Sequence, residues 1–231
     1  ARASGLPVVA VQHHHAHAVA LMAEHGLDDI VAIVCDGYGY GLDGEAWGGE
    51  VLLSSSCSVE FERVAHLEAQ PLLGGDLASR YPLRVAVGVL GKAGINVQEF
   101  LMQNNTHLPH GELEANLILR QLESGNGAIQ TTSCGRVLDA LAAVLGVSYV
   151  RSYEGEPAMK LESTALAGKD VLNLKPILQG NVLDTTGLLA RIFENRSKTS
   201  VADLAYSAHA YLSKGLAALA VENARSHGVE T

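Results

Sequence analysis

Apolar and polar residues follow two rhythms along this chain. Up to about residue 70 short apolar runs are broken by glycine and polar turns; beyond it apolar residues recur every three or four positions. The valine-rich run Leu6 to Val11 predicts a buried strand over residues 6–12. Ala18-Val19-Ala20-Leu21-Met22-Ala23 behind it are strong helix formers and predict a helix over 13–26, closed by Gly26. The run 30–35 (Ile-Val-Ala-Ile-Val-Cys) is apolar at every position and predicts a strand buried on both faces. A glycine-rich loop, 36–50, leads to a third strand over 51–56, and a fourth follows over 59–66. That strand–loop–strand order predicts an antiparallel hairpin rather than a βαβ unit.

The second rhythm predicts mostly helix. After a loop at 70–75, helical patterns cover 79–90 and 95–125, the latter broken at Pro109-His110-Gly111. A helix over 135–145 follows, capped by Thr132 or Ser133. Further helices are predicted over 157–167, 187–195 and 200–227, with a weak hairpin around Gly180-Asn181 in the segment 171–183. The last helix carries an apolar stripe that includes Leu204, Ala208, Tyr211, Leu212, Leu216 and Leu219. The fold class is α/β. No internal repeat or low-complexity tract is present.

Three stretches concentrate residues suited to chemistry. The first is His13-His14-His15-Ala16-His17. On a helix beginning near His13, His13 and His17 stand one turn apart on one face, the spacing with which a helix offers two imidazoles to one metal ion. His14 and His15 point elsewhere on that wheel, and a third ligand must come from another part of the fold. The second is the loop after the central strand. Gly37, Gly39, Gly41 and Gly44 let the main chain approach an anion closely, and Asp36 and Asp43 suit Mg²⁺, a ribose or a phosphate. It is not a Walker A loop, because the Gly-Lys-Ser/Thr ending is missing. The third is the helix start Thr131-Thr132-Ser133-Cys134-Gly135-Arg136, with Asp139 one turn further in. A helix N-terminus bearing Gly135 and Arg136 favours an anion or nucleotide, and Asp139 suits ribose hydroxyls. An ordinary capped helix and a glycine-rich hairpin are the plain alternatives. Gly74-Gly75-Asp76 with Arg80 and Arg84 is a weaker anion candidate, and Cys134 is not assigned as a nucleophile.

Composition narrows the classes. With 48% apolar residues in 231, a sizeable core forms, and 24 glycines suit close helix–sheet packing. A net charge of −9 argues against broad nucleic-acid or membrane-surface binding. Three cysteines without a C-x-x-C pair indicate neither a disulfide framework nor a zinc ribbon, so reduced thiols and a cytoplasmic setting are expected. No apolar run is long enough to span a membrane. The chain begins without Met and stops after a long helical pattern, so it is expected to be a piece of a longer protein.

Taken together, Gln12 to Ala18, the pattern Asp36-Gly37-x-Gly39-Tyr40-Gly41-x-Asp43-Gly44-x-x-Trp47-Gly48-Gly49-Glu50, the helix start 131–136 with Asp139-Ala140, Tyr153-Glu154-Gly155 and Leu161-Glu162 resemble the C-terminal carbamoyltransferase domain of the HypF family over nearly the whole chain. That resemblance implies an actin-like (RNase H-like) ATPase fold with two lobes and mixed sheets, incomplete at its C-terminus. Residues 1–70 would form the first-lobe sheet with the metal helix, and 71–231 a mostly helical nucleotide-side lobe. It implies iron or zinc at His13 and His17, with Mg²⁺ and ATP or carbamoyl-adenylate as further cofactors. Phosphate would lie at Asp36, Gly37, Gly39, Gly41, Asp43 and Gly44, and the nucleotide at Gly135, Arg136 and Asp139. The implied reaction moves a carbamoyl group from carbamoyl-adenylate to the C-terminal cysteine of HypE, for the cyanide ligand of NiFe hydrogenase. An O-carbamoyltransferase acting on a small-molecule hydroxyl, or a nucleotide-binding module without turnover, shares these motifs. Tyr38 stands where the family usually has Thr, and Leu73 and Tyr81 also depart from its pattern. The family's Gly-Gly turn and the aspartate expected to complete the metal site lie beyond residue 231.

Overall fold

The computed structural model of the protein describes residue 5 and residues 8–58, 60–125 and 128–230. Helix α1 (His13–His25) leads into a long antiparallel pair, β1 (Asp29–Tyr40) and β2 (Ala46–Ser55), followed by β3 (Phe61–Leu67) and the short β4 (Gln70–Leu72). Next come α2 (Asp76–Arg80), α3 (Pro82–Lys92), α4 (Gln98–Asn104), α5 (Gly111–Ser124), β5 (Ile129–Thr131), α6 (Cys134–Val144) and α7 (Glu156–Ala165). A two-stranded turn, β6 (Leu178–Gln179) and β7 (Val182–Leu183), precedes α8 (Thr186–Asn195) and the 27-residue α9 (Val201–His227).

Among the described residues the strands form one seven-stranded mixed sheet in the order β4-β5-β2-β3-β7-β6, with β1 on β2. The β2–β5 and β3–β7 pairs are parallel and the others antiparallel. The sequence places the sheet before about residue 70 and mostly helix after it. Strands β5, β6 and β7 come from the second stretch and join the same sheet. Segments of two or three residues are too short to show an alternating pattern in the sequence.

Side-chain alternation along β1 divides the packing. Ile30 and Ala32 meet α1 through Ala18 and Met22, while Val31 packs against the main core. That core is built on α3, whose residues 82–90 are all buried, on α6, and on the stripe of α9 that carries Leu204, Ala208, Leu212, Leu216 and Leu219. Gly26 closes α1 in the left-handed region, and Ser133 and Ser200 cap α6 and α9 with their hydroxyls.

Two local expectations are corrected. Of the strand expected over 6–12, Leu6 and Pro7 lie outside the described residues. Residues 8–12 join no sheet, and Val8, Val9 and Val11 are more than half exposed. Strand propensity yields a strand only where a neighbour pairs with it, and β1 pairs with β2 instead. The loop expected over 36–50 is mostly strand, with β1 continuing to Tyr40 and β2 starting at Ala46. Cys35 faces Gly49 and Gly39 faces Trp47, so four steps along β1 match two along β2, and residues 36–38 bulge from the ladder.

Glu68 ties the sheet to α8. Its Oε2 accepts the main-chain N–H groups of Thr185 and Thr186, at 3.1 and 2.9 Å, and its Oε1 meets Lys92 Nζ at 2.7 Å. Burial pushes this carboxyl up, but the hydrogen bonds from Lys92 and Thr186 outweigh it and hold the pKa at about 2. A depressed carboxylate stabilises the fold above its unfolded pKa and loses that contribution as pH falls. Glu68→Gln is therefore expected to cost about 1–2 kcal/mol at pH 7. In urea denaturation the difference from the parent should shrink between pH 4.5 and 2; a deficit independent of pH would refute this account.

Candidate functional site

The bulge at 36–38 brings β1 against the start of α6. Ser133 Oγ lies 3.0 and 2.8 Å from the carbonyl oxygens of Asp36 and Gly37, within donating distance of both, while accepting the N–H of Arg136. Main chains touch here, since a Cβ added to Gly135 would stand 2.9 Å from Gly37 Cα. A cavity of about 540 Å³ opens over this contact. Its lining includes Asp36, Gly37, Gly135, Arg136 and Asp139 from the predicted set, together with Tyr38, Asp76, Arg151 and Glu154. Two stretches far apart in sequence thus share one cleft.

On the α1 side of the bulge, three ligand-type side chains converge. One atom from each of His13, His17 and Asp36 lies within 4.8 Å of the others. His13 Nε2 and His17 Nε2 are 3.2 Å apart, and His13 Nε2 is 2.9 Å from Asp36 Oδ2. Ligand atoms held tetrahedrally at metal bonds of about 2.1 Å stand roughly 3.4 Å apart, so the cluster has the size of a first coordination shell. Asp36 Oδ2 is buried yet receives no aligned hydrogen bond, while Oδ1 accepts the Gly37 N–H at 2.6 Å. Two imidazoles and one carboxylate suit zinc or iron(II). The residues present therefore fit a metal, and Asp36 falls on its side as well as on the phosphate side to which the sequence assigned it.

The helical wheel points His14 away from the pair, and the structure corrects this. Its ring is fully buried, with Nε2 at 3.7 Å from Asp36 Oδ2. Burial lowers its pKa first, with the carboxylates of Glu50 and Asp36 opposing. A 100° step around a helix argues against a shared face, but at the first turn β1 lies close enough to meet His14 as well as His13. His15 stacks on Phe61 at 4.5 Å.

The remaining loop residues have other work. A Cβ on Gly39 would come within 2.4 Å of the His14 ring, and one on Gly41 within 2.2 Å of the Trp47 indole nitrogen. These glycines make room for side chains, and Gly44 turns the hairpin at φ +83°. Asp43 accepts the Trp47 indole N–H at 2.9 Å and pairs with Arg63 at 3.2 Å, so its carboxylate is engaged below the cleft. Asp139 and Arg136 pair at 2.8 Å and are both almost fully buried. Burial dominates both groups, raising Asp139 to about 6 and lowering Arg136, against their mutual attraction. Asp139 thus lines the cavity with its carboxylate paired to Arg136. The Cys35 and Cys134 thiols both line the cavity, where each influences the other: the neighbouring thiol lowers Cys35 and, together with burial, raises Cys134. Of the Gly74 candidate, Gly75 and Asp76 reach the cavity, whereas Arg84 is buried against Glu114. Arg151 is a site residue that the sequence does not mark, and Glu154 stands in the sequence only as part of the Tyr153-Glu154-Gly155 pattern, with nothing local to show that it faces the cavity.

Known proteins resemble this chain in sequence and in fold. The family described as "Carbamoyltransferase, Kae1-like Domain, second subdomain" matches residues 32–231. The chain is 40% identical to a probable carbamoyltransferase HypF of Methanocaldococcus jannaschii over 98% of its own length and 29% of the relative's. It is 35% identical to a carbamoyltransferase HypF homolog of Cupriavidus necator, again over 98% of this chain and 59% of that one. The crystal structure of T. kodakarensis HypF superposes with a TM-score of 0.87 at 43% identity, covering 98% of this chain and 30% of that one. A full-length HypF crystallised in a phosphate- and nucleotide-bound form gives 0.82 at 32%, covering 97% and 35%. The chain thus spans between about a third and three fifths of these relatives, and it belongs to the HypF carbamoyltransferase family, as the second subdomain of the Kae1-like domain.

Proposed function

We propose that this chain carries the carbamoyl-transfer site of a HypF-type enzyme. On this reading it binds carbamoyl-adenylate in the cavity beside α6 and passes the carbamoyl group to the C-terminal cysteine thiol of a HypE-like protein, for the cyanide ligand of NiFe hydrogenase. The observation that carries it is the double position of Asp36, which belongs to the His13–His17 cluster and also lines the cavity. The names of the relatives and the nucleotide-bound state of one of them support the reading. The sheet and its helices would then be part of an actin-like fold. No described helix is long and apolar enough to cross a membrane, and the free cysteines fit a cytoplasmic setting.

Iron or zinc held by His13, His17 and Asp36 would supply Lewis-acid polarisation of the carbamoyl carbonyl. The chain's own residues bind and orient. The positive end of α6 and the Arg151 guanidinium face the cavity and suit the adenylate phosphate. Arg136 lies beneath Gly37, kept in place by Asp139. With Asp43 engaged elsewhere, Asp76 and Glu154 are the cavity carboxylates available for Mg²⁺. As the thiolate forms the C–S bond, the C–O bond to phosphate breaks, and the leaving charge develops beside the α6 N-terminus. The thiol proton is released to water, and no side chain of this chain serves as nucleophile.

Transfer is tested with carbamoyl-adenylate and a peptide ending in cysteine, read as the thiocarboxamide mass; modification of a small alcohol instead would transfer the reading to O-carbamoylation. His13→Ala, His17→Ala and Asp36→Asn should each lower bound zinc or iron at least tenfold. Metal content equal to the parent's in all three would remove the metal assignment. Arg151→Ala should weaken AMP binding by about tenfold, the worth of one charge-assisted hydrogen bond, without loss of stability. Calorimetry showing an unchanged Kd would place the phosphate elsewhere. Arg136→Ala should instead destabilise the fold in thermal or urea denaturation, because Asp139, already raised by burial, loses the guanidinium that opposes that shift and must take up a proton.

A further inference from the structure

We propose that His14 is a positioning residue of this centre, held as one tautomer by Gln12 so that its single N–H faces Asp36 Oδ2. The proposal deepens the metal reading above and rests on it. The argument begins at Gln12, where the main chain leaves no choice of amide orientation. Its Oε1 lies 2.8 Å from the N–H of His15, where only an acceptor fits, and its Nε2 lies 3.1 Å from the carbonyl of Tyr40, where only a donor fits. The amide therefore presents its other N–H to His14 Nδ1, at 2.9 Å. Nδ1 must accept. A neutral imidazole carries one N–H, so the proton resides on Nε2.

Opposite that N–H stands Asp36 Oδ2. His14 Nε2 is buried without a hydrogen-bond partner, and so is Asp36 Oδ2 opposite it. They stand 3.7 Å apart, about half an ångström beyond a normal N–H···O bond. The ring cannot swing to another partner, because it is fully enclosed and seated against Gly39, with the rings of His13 and Trp47 at 5.4 and 6.2 Å. Asp36 Oδ1 is already held by Gly37 N–H. With one lone pair of Oδ2 directed toward His14, the other is turned toward His13 and His17. Gln12 also caps α1, so one side chain sets both the helix start that spaces the histidine pair and the tautomer that orients the carboxylate.

Two readouts on the purified chain test this. In long-range ¹H–¹⁵N spectra His14 should be the Nε2–H tautomer, with Nδ1 unprotonated, before and after zinc is added; an Nδ1–H tautomer overturns the proposal. Cobalt(II) titration against a competing chelator gives the second. His14→Phe, which keeps a ring but no N–H, should raise the apparent Kd about 10- to 100-fold, and His14→Gln, which retains a donor, should recover part of the loss. A Kd for His14→Phe within twofold of the parent overturns the proposal, as does equal weakening by Phe and Gln, which a purely packing role would give. His13→Ala separates the two levels. If it binds cobalt like the parent, the metal reading itself fails; if it loses binding while His14→Phe does not, only the role of His14 fails.

Discussion

The structure depends on a main-chain contact that admits no Cβ. Where β1 bulges at residues 36–38, it passes so close to the N-terminus of α6 that Gly135 meets Gly37 backbone to backbone. Ser133 closes the contact, its hydroxyl reaching two β1 carbonyls while it caps the helix. This contact fixes the carbonyl side of Asp36 on α6 and leaves its carboxylate free to face α1. The cavity, the metal-type cluster and the helix dipole converge because one residue is gripped from both sides.

Beneath the cleft, buried charges hold the parts in register. Glu50 is inaccessible to solvent and accepts the N–H groups of Gly48 and Gly49, the guanidinium of Arg63 and the hydroxyl of Thr132. Arg63 in turn reaches Asp43 and lies 4.2 Å over the Trp47 ring. This network links β2, β3 and the residues leading into α6. Such a network adds little net stability over an apolar core, but every partner is needed once one is present. Asp139 and Arg136 form a second buried pair, in the wall of the cavity. A site placed on strands and helices held in this way is stiff enough to preserve the spacing of its ligands.

Four helices were legible in the sequence almost to the residue, whereas the patterns over 79–90 and 95–125 each resolve into two helices with shifted ends. α1, α6, α8 and α9 begin and end within one or two positions of the pattern, because periodicity, Ser133 and Ser200 caps and the Gly26 stop all act locally. The strands were legible only where they are long. β4 to β7 are too short to show a period, and the valines at 8–11 showed a preference that no pairing partner satisfies. In the glycine-rich segment the four glycines suggested one phosphate loop. The fold gives Gly37 to the cleft, Gly39 to His14 and Gly41 to Trp47: residues two apart would share one face of a regular strand, but the bulge at 36–38 and the end of β1 at Tyr40 separate them.

By itself, then, the sequence determined the local facts. The i, i+4 spacing of His13 and His17, the cap of α6 and the candidate chemistry all follow from rules acting within one or two turns. Only the tertiary structure decided which groups meet. It placed Asp36 beside the histidine pair, withdrew Asp43 to Trp47 and Arg63, buried Asp139 against Arg136, and turned His14 inward. These outcomes depend on a strand bulge and on the approach of α6 from nearly a hundred residues away. Side-chain direction at a bulge is set by the partner strand, not by the residues that form it.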